Sequence, residues 1–205
     1  MLITALFCLG FSTTCHLCHC KNEVISRRVC YIDYWGIAIL FLGSLYPFIS
    51  FKYACGPFII WRYIFTTFLT ICTIACMIAT IRDTSMSPKM RSCMFFTFGL
   101  AAMIPTYGFG GFYDPTYTLY PRLMRFSWAV IVYIIGMFIY ILRAPERWSN
   151  LGKFDIWGGS HQIFHCFVLA GIALTFWDAC CTYKERLEFV CPDQQPEIPA
   201  LLLRQ

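Results

Sequence analysis

FIIWRYIFTTFLTICTIACMIATI, residues 58–81, carries a single charged side chain, Arg62. An α-helix rises 1.5 Å per residue, so about 20 apolar residues cross the roughly 30 Å of hydrocarbon in a bilayer. The run is long enough to span and too apolar on every side to be a surface helix, which would keep a polar face. Five more runs of this kind flank it, at about 1–19, 31–52, 93–113, 122–143 and 159–180. The composition agrees: 59% of the 205 residues are hydrophobic, 19% aromatic and only 13% charged, with a mean hydropathy of +0.61. The expected fold is all-α, a multi-pass transmembrane helical bundle over residues 1–181, followed by a polar, Pro-rich, loosely ordered tail over 182–205.

The charges lie between the runs and set an orientation. Lys21, Arg27 and Arg28, then Arg82, Lys89 and Arg91, then Arg143, Arg147 and Lys153 fall on one side, nine in all, against Lys52, Arg62, Arg122 and Arg125 on the other. The positive-inside rule places the nine in the cytosol and, with six spans, both termini outside. The net charge of +5 is thereby explained by topology, with no nucleic acid partner required. No basic region precedes the first apolar run, so it reads as a span and not as a secretory signal. Most of the thirteen cysteines lie in or at the ends of spans, where a thiol is a small apolar group, and no disulfide framework follows from them. One pair on the outer side is open, Cys55 with Cys181 or Cys191.

CHLCHC at Cys15 to Cys20 contains C-x-x-C-H, the covalent haem attachment pattern, and a dense set of zinc-type donors. The cytosolic orientation argues against haem, and one continuous helix cannot wrap Cys15, Cys18, His19 and Cys20 tetrahedrally around one ion. His16 is different because of what lies far along the chain. SHQIFH, Ser160 to His165, puts His161 and His165 one helical turn apart on one face. His16 ends an out-to-in helix and this pair begins an in-to-out one, so all three share the cytosolic end. Asp33 begins the second span on the same side, where an unpartnered carboxylate costs roughly 2.5–3.5 kcal/mol in the apolar region. Ser12 stands one turn before His16. Three imidazoles with an open fourth position form a catalytic type of zinc arrangement.

The stretches CLGFSTTCHLCHCKNEVISR, SRRVCYIDYWGIAILFLGS and APERW with GKFDIWGGSHQIFH resemble the successive signatures of the progestin and adipoQ receptor family, and most of all its adiponectin-receptor branch. The similarity runs from about residue 2 to residue 175. It implies a seven-helix fold with an internal N terminus and an external C terminus, of which this chain carries six helices, Met1 falling where the family's second helix starts. It implies Zn2+ near the cytosolic face, held by His16, His161 and His165, with Asp33 acting through water and Ser12 as the serine of the S-x-x-x-H element. Alkaline ceramidases share this set, so the resemblance implies hydrolysis of the amide of ceramide-like membrane lipids, Asp33 serving as general base and Ser12 orienting the water or the oxyanion. It also implies signalling in lipid metabolism from the plasma membrane, with an internal membrane as the alternative, and an extracellular protein or a steroid as further ligand. A non-catalytic receptor with a structural zinc is the alternative. A channel or transporter is disfavoured, since no span carries a polar stripe through its midplane. Pro47 and Pro105 are expected to kink their helices, YGFGGF at 107–112 to loosen the fourth span, and Trp61, Tyr63, Tyr117 and Tyr120 to anchor at the interface. PERW and GKFDIW read as a cytosolic loop along the headgroups.

Overall fold

The computed structural model describes residues 1–18, 22–82, 87–107, 119–149, 152–154, 156–188 and 191. All regular structure among them is helical: α1 (Leu2–Cys18), α2 (Glu23–Lys52), α3 (Ile59–Arg82), α4 (Pro88–Tyr107), α5 (Leu119–Leu142) and α6 (Ser160–Glu188), with 3₁₀ turns at Gly56–Phe58 and Glu146–Trp148. Four of them, α2, α3, α5 and α6, are long and apolar enough to cross a membrane by length and composition; α1 and residues 90–105 of α4 form shorter apolar helices. The chain is a multi-pass membrane protein built as a helical bundle.

Two helix pairs form the frame, and both depend on small residues that let backbones approach. In the first, α1 lies on α2, where a Cβ at Gly36 would stand 2.9 Å from the Cys8 Cα and one at Gly43 would collide with Thr4. In the second, α5 lies on α6, with Gly171 giving up its side-chain volume to the Tyr133 ring and Gly136 to Phe167. Between the pairs an apolar cluster runs through Leu45, Phe48, Ile49, Leu69, Phe98 and Phe126. Phe48 meets Phe126 edge to face with centroids 5.0 Å apart, and Phe41 meets Phe98 at 5.3 Å.

Several boundaries depart from the apolar runs for local reasons. The second helix starts at Glu23, well before residue 31, because Asn22 caps it by accepting the Ile25 N–H at 2.8 Å and Glu23 pairs with Arg27 one turn on. The sixth helix continues past Thr182 to Glu188, so the first part of the expected tail is helical. Thr182 is buried and Glu185 receives the Arg125 guanidinium at 2.7 Å. Pro47 and Pro105 both lie inside helices, and the Pro105 carbonyl accepts the Tyr53 hydroxyl at 2.9 Å and the Lys52 ammonium at 3.2 Å. Trp61 stacks on Phe65 against the core, whereas Tyr63 faces outward at 58% exposure. Residues 108–118 and the Tyr120 side chain lie outside the described residues.

The two ends of the bundle differ. One end gathers the last turn of α1 and the first turns of α2 and α6. At the other, Cys55 is bonded to Cys191, their Cα atoms 5.5 Å apart, while Cys181 stays a free thiol inside α6. Cys191, beyond the helix end, is thus the partner that meets the segment joining α2 to α3. Near it, Arg125 of α5 donates to Asp178 at 2.9 Å as well as to Glu185, which ties α5 to α6 through a fully buried carboxylate.

Candidate metal centre and the cavity beneath it

The three histidines converge. His161 Nε2 lies 3.2 Å from His16 Nε2 and 3.1 Å from His165 Nε2, and one ligand nitrogen from each falls within 4.8 Å of the others. His161 and His165 share a face because they are one turn apart in α6; His16 arrives from the end of α1, 145 residues away in sequence. Tetrahedral nitrogens about 2.0–2.1 Å from one zinc ion stand roughly 3.3 Å from each other. The spacings from His161 to His16 and to His165 match that edge, and the third pair lies within 4.8 Å, so this donor set fits a divalent ion. The rings meet edge-on, with interplanar angles of 72°, 87° and 73°, and Tyr140 closes the outer side at 5.3 Å from His161.

Asp33 is half-buried beside the cluster, with Ser12 and His16 as its polar neighbours. The Ser12 hydroxyl is buried at 6% exposure and comes near the carboxylate without completing a hydrogen bond. All five predicted site residues are therefore at one end of the bundle, three with nitrogens converging and two alongside. The local cysteines are turned elsewhere: the Cys15 thiol lies 3.3 Å from that of Cys30 across the α1–α2 seam. His19 and Cys20 lie outside the described residues.

Glu146 is a participant whose motif, PERW, suggested no chemistry from its composition. Its Oε1 accepts the Ser160 backbone N–H at 2.6 Å and the Ser160 hydroxyl at 2.9 Å, capping α6 one residue before His161. Partial desolvation pulls this carboxyl up, but the backbone N–H groups of Glu146 and Ser160, the Ser160 hydroxyl and the nearby Arg143 outweigh it and hold the group below the ordinary glutamate value. The signal available in sequence was an acidic residue ahead of a helix start, which is weak without knowing how the intervening loop folds. That loop turns through Gly152 and Gly158, at φ of 90° and 76°, and leaves Trp148, Ile156 and Trp157 between 74% and 80% exposed at the histidine end.

Below the histidines a cavity of about 240 Å³ runs into the bundle, bounded by α1, α2, α4, α5 and α6. Asp33, His161 and His165 form part of its upper wall; Leu40, Phe126 and Ala129 belong to its lower, apolar part. Arg91 lines it too, donating to the Tyr34 hydroxyl at 2.6 Å with its guanidinium 4.5 Å from the Tyr34 ring centre.

A helical membrane bundle with three convergent imidazoles at one end, a carboxylate and a serine beside them and a largely apolar cavity behind defines a membrane protein with a candidate metal centre. Sequence comparison supplies the family. A profile described as "Haemolysin-III related" matches residues 1–176, and the chain belongs to that family. It is 36% identical over 183 residues to "Heptahelical transmembrane protein 4" of Arabidopsis thaliana, covering 87% of this chain and 46% of the relative. It is 35% identical over 178 residues to "Adiponectin receptor protein" of Drosophila melanogaster, covering 82% and 38%. "Progestin and adipoQ receptor-like protein 1" of Caenorhabditis elegans is 28% identical over 196 residues, covering 92% and 44%. The chain thus spans about half the length, or less, of the curated relatives it matches.

Proposed function

We propose that this adiponectin-receptor-like protein binds zinc through His16, His161 and His165 at the cytosolic end of the bundle and hydrolyses the amide of a ceramide-like lipid drawn from the bilayer. The observation that carries the reading is the convergence of three nitrogens at ligand spacing at the head of an apolar cavity. When bound, zinc in a three-imidazole site polarises a carbonyl and makes a bound water acidic near neutral pH. The chain's own residues supply the rest. Asp33 takes up the proton of the attacking water and returns it to the departing amine, which needs a carboxylate within reach of that water and partly shielded from bulk solvent. The Ser12 hydroxyl, held beside Asp33 with a free donor, orients the water or steadies the carbonyl oxygen as charge develops on it. The lower cavity receives the acyl chain and excludes water from the amide. Arg91, over Tyr34 in the upper wall, offers a cation to the carboxylate that hydrolysis releases.

The nine-to-four bias of basic residues supports the cytosolic placing of the histidines. The Cys55–Cys191 bond at the opposite end supports it as well, since disulfides persist on the oxidising side of a membrane. The exposed Trp148 and Trp157 suit a loop seated among headgroups.

The test is fatty acid release from ceramide by purified, zinc-loaded protein, parent against Asp33→Ala. Asp33 reaches the reaction through water, so zinc content should stay near that of the parent while turnover falls about 100- to 10,000-fold. A zinc-loaded parent that releases no fatty acid would leave a receptor with a structural ion and remove the enzymatic reading.

A further inference from the structure

The cavity is not apolar along its whole length. The Ser44 hydroxyl of α2 lines it, is 9% exposed and makes no hydrogen bond, not even to the turn before it in its own helix. The Tyr133 hydroxyl of α5 lines it as well, with Thr175 Oγ1 as its one polar neighbour and without a well-formed hydrogen bond to it. Thr175 of α6 lies beside Tyr133, with its own proton donated to the Gly171 carbonyl at 2.8 Å.

These three groups stand at similar depth. Leu40 and Ile172 belong to one buried cluster; Ser44 is one turn beyond Leu40 and Thr175 about one turn beyond Ile172, on helices that run the same way from the histidine end. The Tyr133 ring packs against Gly171, one turn before Thr175 on the same face. From Asp33 to Ser44 the distance along α2 is about 16 Å at 1.5 Å per residue. That is about half of the roughly 30 Å of hydrocarbon that such a helix crosses.

Resting on the reading that the cavity holds a lipid chain, we propose that Ser44 and Tyr133 form a second polar station that selects acyl chains bearing a hydroxyl or keto oxygen in their distal half. A plain methylene segment at this depth would seal the unpaired Ser44 hydroxyl against hydrocarbon and leave Tyr133 only its poor approach to Thr175, which is unfavourable. A chain hydroxyl both donates and accepts, so it can bridge the two side chains while the remaining methylenes keep their contacts with Leu40, Phe126 and Ala129.

The probe pair is ricinoleate and oleate, which differ by one hydroxyl in the distal half of the same chain. Displacement of a fluorescent parinarate from the full zinc-loaded chain gives both affinities, for the parent, Ser44→Ala, Tyr133→Phe and the double variant. The ratio of ricinoleate to oleate affinity should fall roughly three- to tenfold from parent to double variant, ricinoleate binding less tightly and oleate no less tightly than to the parent, with each single variant in between. Both single substitutions remove only the hydroxyl, so if one variant cannot be purified the other still reads the effect. An unchanged ratio, with oleate still bound, would overturn the station and leave those hydroxyls to ordered water. Failure of both acids to bind the parent would overturn the station together with the lipid reading of the cavity.

Discussion

His16 acquires its meaning only from contact. Within Cys15 to Cys20 it is one donor among several, and the local spacing suggests haem or a zinc knuckle. Once α1 and α6 pack, its Nε2 lies 3.2 Å from that of His161, while Cys15 is committed to Cys30 across another seam. An imidazole cluster this tight is one that a shared cation could occupy. On the proposed reading the neighbouring thiols are dispensable. Replacing Cys15 and Cys18 by Ser should leave zinc per protein, by elemental analysis, equal to that of the parent. Loss of the ion with all three histidines intact would return the site to the local cysteine motif.

The first two turns of α6 present the two histidines, and Glu146 caps the start of that helix. Glu146→Gln keeps the shape and removes the charge at the positive end of the helix; Glu146→Ala removes the acceptor for two donors, a loss of about 1 kcal/mol for an N-terminal cap. Both should weaken zinc binding, Ala more than Gln. The pH dependence follows from the sign of the shift. The folded-state carboxyl is held below 4.5, so its contribution is full above that value and disappears as pH falls through the depressed one. In detergent, the denaturation midpoints of metal-free parent and Glu146→Gln should differ by a constant amount between pH 7 and pH 5 and converge in more acidic solution. A gap that widens on acidification would contradict the capping role. This part of the site was illegible in sequence because its two halves are joined by an irregular loop whose Gly turns, and not any periodicity, bring Glu146 back to Ser160. The α6 extension to Glu188 was hidden for a related reason: Arg125 meets Glu185 only after α5 and α6 are paired.

Across the bundle, the helical class and the grouping of His16, Asp33, His161 and His165 at one end were legible, because apolar runs have lengths set by the bilayer and the alternation of spans assigns each run an end. What the linear pattern could not supply was the cavity, which five helices create together, or the choice of Cys191 over Cys181 as partner of Cys55. The assignment of ends has its own check. In a background with the free cysteines replaced, Arg147→Cys should stay unlabelled by an impermeant maleimide on intact cells and react after permeabilisation. Labelling on intact cells would put the histidines outside.

The claim on which the rest depends is that three imidazoles from two distant helices hold one zinc ion, and zinc per protein after purification and dialysis tests it most directly. The parent should carry about one ion per chain. His16→Ala, His161→Ala and His165→Ala should each lose most of it, because three protein ligands and one open position leave no spare donor. Full zinc in all three variants, or a parent that takes up none, would contradict the account.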